Sequence, residues 1–175
     1  MELSGLNPER MREHAFISVC PILTLKFKKM DYDDVEILLV EDSADDAILT
    51  IRALKKSGLT NKIHHVKDGA EALDFIYCTS AFASRNCATM PKIILLDLKM
   101  PKISGMEVLE KIKSDPSLKR IPIVILTSSK EDPDIRNAYN LGANSYIVKP
   151  VESDNFFSAL KEVGFYWMIH NQPPF

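Results

Sequence analysis

Five side chains could do chemistry together: the adjacent carboxylates Glu41 and Asp42, the single carboxylate Asp97, the hydroxyl of Thr127 and the ammonium of Lys149. Carboxylates brought close together repel, and a cation relieves that repulsion. Two carboxylates plus waters suit a hard, oxygen-preferring ion such as Mg²⁺, and they leave coordination room for a phosphoryl oxygen. A lysine and a hydroxyl beside them would neutralise and hydrogen-bond a phosphoryl group in transfer. Each of the five also has an ordinary explanation. An acidic pair suits the positive end of a helix dipole, and an Asp, Thr or Lys that merely ends a strand needs no function. Their joint placement is what calls for one.

The elements that must position them follow from periodicity. Ile93-Ile94-Leu95-Leu96 is an unbroken apolar run, as in a strand buried on both faces of a parallel sheet, and it ends in Asp97. Such a strand cannot keep an unpaired carboxylate inside. Asp97 therefore belongs at its carboxyl end, where open α/β sheets bind ligands. Four further runs read as strands: residues 35–40 before Glu41-Asp42, 63–66, 121–127 ending in Thr127, and 145–148 before Lys149-Pro150.

Helical patterns separate them. Ser43 to Asp46 reads as an N-cap with its acidic partner three positions on, and Ala47, Ile48, Ile51 and Leu54 continue at helical spacing to Gly58. A second helix runs from Asp68-Gly69 to about Tyr77, and residues 79–91 read as a loop. Pro101 and Gly105 mark a turn after Asp97, Ser104 and Glu107 cap a third helix, Asp132-Pro133 opens a fourth that Gly142 closes, and a last runs from about Glu152 towards Ile169. Strand and helix alternate five times without a hairpin signal. This predicts an α/β fold with one parallel five-stranded sheet and helices on both faces. The strand ends then share one edge, so the five residues converge.

Composition excludes other classes. The 175 residues suit one domain with a full core, and 46% hydrophobic with 26% charged residues is a normal globular balance. A formal net charge of −2 leaves no electrostatic footprint for nucleic acid, and no apolar run is long enough to span a membrane. Neither nucleic acid nor membrane is an expected partner. Cys20, Cys78 and Cys87 have no C-x-x-C spacing and cannot all pair internally, which suggests free thiols in a reducing cytoplasm. Residues 1–30 read as an extension outside the domain, disordered or a start called too early, and 171–175 as a frayed tail.

Taken in order, these motifs resemble the receiver domain of two-component response regulators over roughly residues 35–169. The resemblance implies a flavodoxin-like, doubly wound sheet of strand order 2-1-3-4-5, with a receiver domain over 31–170. Glu41-Asp42 resemble the family's acidic metal pair, with Glu where Asp is common. Asp97 matches the phosphorylated aspartate, Thr127 the switch hydroxyl, and Lys149, 22 positions later, the family's lysine. Tyr146 matches the switch aromatic, and Met100-Pro101 through Gly105 the M-P-x-x-x-G turn. The implied cofactor is Mg²⁺ on Glu41, Asp42, Asp97 and the backbone carbonyl of Lys99. The implied function is a single-domain regulator, not an enzyme, that accepts a phosphoryl group on Asp97 from a sensor histidine kinase and assists its own phosphorylation and dephosphorylation.

The segment 79–91, Ala143-Asn144-Ser145-Tyr146 and the terminal Phe165-Tyr166-Trp167 are similar to small regulators that partner phytochrome-type kinases. Lys99 departs from that subgroup, which often has Asn there; its side chain is expected to alter how fast the phosphoryl group is lost. Two rival readings are an aspartyl-phosphate phosphohydrolase and a pseudo-receiver that binds protein without phosphotransfer. The first would need a second acid where Lys99 stands; the intact acidic pair, Thr127 and Lys149 count against the second. On a helical wheel Phe156, Leu160, Val163 and Trp167 form the buried stripe of the last helix, with Tyr166 at its edge. Phe157 and Met168 flank it, and Phe165 and Ile169 lie opposite. These four are the expected homodimer contact, through the fourth helix, fifth strand and last helix, unless Gly164 ends that helix early.

Overall fold

The structure, a computed structural model, describes residues 35–59, 62–128, 132–150 and 153–171. The readings of residues 1–30 and of the last four residues lie outside these. Five strands form one parallel sheet: β1 (Ile37–Val40), β2 (Ile63–Val66), β3 (Ile93–Asp97), β4 (Ile123–Thr127) and β5 (Ser145–Val148). Their spatial order is β2-β1-β3-β4-β5, the flavodoxin-like arrangement. Helices α1 (Ala44–Lys56), α2 (Gly69–Ile76), α3 (Gly105–Ser114), α4 (Asp132–Asn140) and α5 (Asp154–Phe165) fill the crossovers and close the chain. No helix among the described residues is long and apolar enough to cross a membrane.

The alternation of the strands divides the core into two layers. Leu38, Val40, Ile94, Leu96, Ile123 and Ile125 pack with residues of α2, α3 and α4 on one face. Ile37, Leu39, Ile93, Leu95, Val124, Leu126 and Ile147 pack with α1 and α5 on the other. Burial on both faces is why the three central strands read as continuous apolar runs rather than alternating ones.

Register aligns the strand ends. Val40 pairs with Leu96, Asp97 with Leu126 and Thr127 with Val148. Glu41 therefore leaves the sheet level with Asp97, and Lys149 leaves one step beyond Thr127.

Two expectations need correction, and one alternative drops out. Cys78 and Cys87 are joined in a disulfide, not free; a tight reversal after α2, with Cys78 at φ 53°, brings their Cα atoms to 5.9 Å. The segment 79–91 is not a plain polar loop. It holds a 3-10 turn over Ser80–Phe82, buries Phe82 against Phe75 and encloses Arg85, which donates to the Phe75 carbonyl and lies 4.2 Å over that ring. The alternative, in which Gly164 ends the last helix early, does not hold, and that helix runs on past it. A Cβ there would come within 2.5 Å of Leu59 Cδ1, so glycine allows α5 to approach α1 closely, and the chain continues into a π-helical turn over Tyr166–His170.

That turn winds more slowly than 3.6 residues per turn and shifts the wheel beyond Phe165. Phe156 and Leu160 are buried as the stripe requires, and Val163 and Trp167 pack partly against the same cluster. Phe157 and Met168, read as flanking outward, also rest partly on that cluster. Phe165 is half-buried, whereas Tyr166 is 53% and Ile169 59% exposed.

The turn after β3 depends on one residue. The Gly105 N–H donates to the Leu98 carbonyl at 3.0 Å, and a Cβ at Gly105 would stand 1.9 Å from the Asp97 carbonyl oxygen. Replacing Gly105 by Ala should cost about 3 kcal/mol, because the obstacle is backbone and cannot rotate away. Denaturant unfolding of Gly105→Ala beside Gly142→Ala measures this. A Cβ at Gly142 would meet only the Lys113 side chain, at an ordinary 3.5 Å, and φ is +98°, so its penalty should be the usual one for a left-handed residue, about 1 kcal/mol. Equal losses would show that the Asp97 turn gives way.

Candidate functional site

The Lys149 ammonium is the hub of the strand-end edge. Its Nζ donates to Glu41 Oε2 at 2.7 Å, to Asp46 Oδ2 at 2.9 Å and to Asp97 Oδ2 at 2.9 Å. Three protons meet three carboxylates, so its donor capacity is filled. Glu41, Asp97 and Lys149 are each less than a tenth exposed. Sheet alternation explains the convergence. Glu41 follows Ile37 and Leu39, Asp97 follows Ile93 and Leu95, and Lys149 follows Ile147, all on the α1/α5 face. The Lys149–Pro150 peptide is cis.

Two of these carboxylates, Asp97 and Glu41, have a second support. Asp97 Oδ1 accepts from the Lys99 N–H at 3.2 Å. Glu41 Oε1 accepts from the Ser43 N–H at 3.3 Å, and the Glu41 carbonyl lies 2.7 Å from His65 Nε2. Asp42 is exposed beside them. One oxygen from each of Glu41, Asp42 and Asp97 lies within 4.8 Å of the others. Three hard oxygen donors at that spacing fit a divalent cation. The Lys99 side chain is exposed.

Thr127 and Tyr146 stand apart from this cluster. Thr127 is fully buried and follows Ile123 and Ile125, so alternation assigns it to the α2/α3/α4 face, where Tyr146 packs. The link to the hub is the backbone: the Lys149 N–H donates to the Thr127 carbonyl at 2.8 Å. The expected convergence of five side chains is thus an acid–lysine cluster on one face, with Thr127 and Tyr146 close by on the other.

Asp46 was missed as a site residue because the sequence offered it a different task. Ser43 does cap α1, its Oγ accepting from the Asp46 N–H at 3.3 Å. The reciprocal bond, however, is made by Glu41, which leaves the Asp46 carboxylate to turn inward to Lys149. At Ser104 and Glu107 the same signature gives the full reciprocal box. The available signal was position: Asp46 lies in the first turn of the helix that starts at the acidic strand end. On the opposite flank, Lys102, at φ 66°, pairs with the α2 N-cap Asp68 at 2.5 Å and ties the turn after Asp97 to α2.

Electrostatics single out Glu41. Burial, with a smaller contribution from Asp97, raises its carboxyl from 4.5 to about 7, despite the hydrogen bond and attraction of Lys149. Burial alone would lower the Lys149 ammonium, but its bonds to Glu41, Asp46 and Asp97 outweigh that and raise it. The raised Glu41 value means that the folded, metal-free protein keeps a proton which the unfolded chain has lost. Its stability relative to a neutral side chain is therefore full below pH 4.5 and falls as the pH rises through about 7. Glu41→Gln in EDTA should match wild type near pH 4.5 and melt on the order of 5 °C higher at pH 8. A constant difference at both pH values would rule out this ionisation as its source.

Comparison with known proteins agrees with this geometry. The response regulator receiver domain profile matches residues 37–161. The probable methanogenesis regulatory protein FilR2 of Methanothrix harundinacea is 38% identical over 142 residues, covering 81% of this chain and 89% of that protein. The response regulator Rcp1 of Synechocystis sp. is 36% identical over 132 residues, 75% of this chain and 88% of its own. The crystal structure of Rcp1 with bound Mn²⁺ superposes with a TM-score of 0.71 at 35% identity, covering 79% of this chain and 98% of that one. The phosphorylated cyanobacterial phytochrome response regulator RcpA also superposes at 0.71, with 39% identity over 79% of this chain and 97% of its own. With five parallel strands in this order and the acid–lysine cluster at their carboxyl edge, the chain belongs to the response regulator receiver domain family.

Proposed function

We propose that Asp97 is the phosphoacceptor of a single-domain response regulator and that its donor is the phosphohistidine of a sensor histidine kinase. The observation that carries this reading is the carboxylate of Asp97, held at the end of β3 by the Lys99 N–H and the Lys149 ammonium. A carboxylate oxygen of Asp97 attacks phosphorus, the P–N bond of the phosphohistidine breaks, and the imidazole leaves with that electron pair. Lys149 neutralises the growing charge on the phosphoryl oxygens. Glu41, Asp42, Asp97 and the Lys99 carbonyl would hold Mg²⁺, which supplies charge neutralisation at the phosphoryl oxygens. The protein is not an enzyme with a separate substrate; it assists its own phosphorylation and dephosphorylation. The exposed Lys99 side chain, beside the acceptor, tunes how fast the phosphoryl group is lost.

The new dianion draws Thr127 towards the edge, and Tyr146 fills the space that it leaves. This resets the face made by α4, β5 and α5, the proposed homodimer surface, where Ile169 is the most exposed of Phe157, Phe165, Met168 and Ile169. Likeness to the cyanobacterial phytochrome response regulator RcpA supports a phytochrome-type kinase as the donor, and the cytoplasm is the proposed place. Residues 31–170 are the receiver domain, and 1–30 an extension not needed for it.

Two measurements test this. Asp97→Asn should abolish acid-labile labelling by acetyl phosphate, since an amide does not attack phosphorus, while Asp42→Ala should weaken Mg²⁺ binding about tenfold and slow labelling. Undiminished labelling of Asp97→Asn at the same peptide would move the acceptor elsewhere. For the dimer, sedimentation of Phe165→Glu with Ile169→Lys should show loss of the species that wild type forms with beryllofluoride. A monomeric wild type in both conditions would leave only an unlike partner for that face.

A further inference from the structure

The Lys149 ammonium has three carboxylate partners, and they are not equivalent. Glu41 and Asp97 also belong to the carboxylate group whose oxygens lie within 4.8 Å of one another, where a cation fits. Asp97 is in addition the proposed acceptor. Any cation or phosphoryl group at this edge therefore alters two of the three contacts. Asp46 stands outside that group. Its carboxylate reaches Lys149 Nζ at 2.9 Å from the first turn of α1, on a backbone fixed by the Ser43 cap. Its side chain is 30% exposed, so its charge costs less desolvation than that of Glu41.

We propose that Asp46 is a positioning residue: it is the cation-independent anchor that keeps the Lys149 ammonium aimed at Asp97, and it thereby sets the rate at which Asp97 takes up a phosphoryl group. The rate half of this rests on the phosphoacceptor reading above; the anchoring half does not. Lysine has four rotatable methylene bonds, and an unanchored ammonium at this edge would be drawn to whichever carboxylates remain. With Asp46 in place, two contacts can be rearranged while the third holds the ammonium where it is. The anchor also ties α1 to the site, because moving the first turn of that helix moves Lys149.

The test uses the full chain as wild type, Asp46→Asn, Asp46→Glu and Asp97→Asn. Brief acetylation with acetic anhydride, read by peptide mass spectrometry, reports how free the Lys149 amine is. Asp46→Asn should raise its reactivity about tenfold, and Asp46→Glu should return it close to wild type. At saturating Mg²⁺, acetyl phosphate labelling of Asp46→Asn should slow about tenfold, with Glu restoring most of the rate and the Mg²⁺ affinity staying within about threefold. Thermal melts of both variants exclude a folding defect as the cause. Unchanged Lys149 reactivity in Asp46→Asn would overturn the anchor. A Mg²⁺ affinity that falls as far as the labelling rate would make Asp46 part of the metal field instead. A wild type that takes no label at Asp97 would remove the phosphoacceptor reading, and the rate half with it; acetylation would still decide whether Asp46 holds Lys149.

Discussion

A buried ammonium among three carboxylates is the interaction on which the rest of this structure depends. A carboxylate as enclosed as Glu41 or Asp97 is costly without a partner. Lys149 supplies one positive charge to both and to Asp46, from the end of a different strand. The charges still do not balance, since Asp42 adds a fourth carboxylate nearby. The edge is thus left electron-rich and suited to a further cation. The rise of the Glu41 carboxyl to about 7 comes first from burial, with a smaller push from Asp97. The site pairs its charges well enough to fold and incompletely enough to bind.

Everything around the hub serves to hold strand ends level. Parallel pairing with the register Val40–Leu96 and Asp97–Leu126 brings β1 and β3 out together. Gly105 lets the following turn close over the Asp97 carbonyl, and Lys102 ties that turn to α2 through Asp68. These contacts lie in loops, yet each is backed by a cap or a ladder, so the loops are as constrained as the sheet.

Much of this was legible from the chain. Doubly buried strands are continuous apolar runs, so β3 and β4 stood out, and their polar ends followed. The capping box at Ser104 was readable because a reciprocal pair has a fixed spacing. The same spacing at Ser43 misled, because a tertiary partner outbid the local one: Lys149, over a hundred residues away, holds the Asp46 carboxylate. The Cys78–Cys87 bond was hidden because it depends on a reversal at Cys78 that no local propensity announces. The core role of Phe82 and Arg85 was hidden because a polar segment folded around its own aromatic contact looks like an ordinary loop. The phase of the final turn escaped because a wheel assumes one pitch, and the π turn after Phe165 changes it.

Thr127 and Lys149 are joined by a single ladder bond, yet alternation sends their side chains to opposite layers of the sheet. An event at the shared edge is therefore read twice, once by each layer. Lys149 and Asp46 lie towards α1 on the front, while Thr127 and Tyr146 lie in the packing beneath α4 on the back. The protein resembles a coin whose rim is touched and whose two sides both respond. A contact made on the front layer and one made on the back layer therefore do not compete for the same surface. Strand parity is what separates the two layers at this edge.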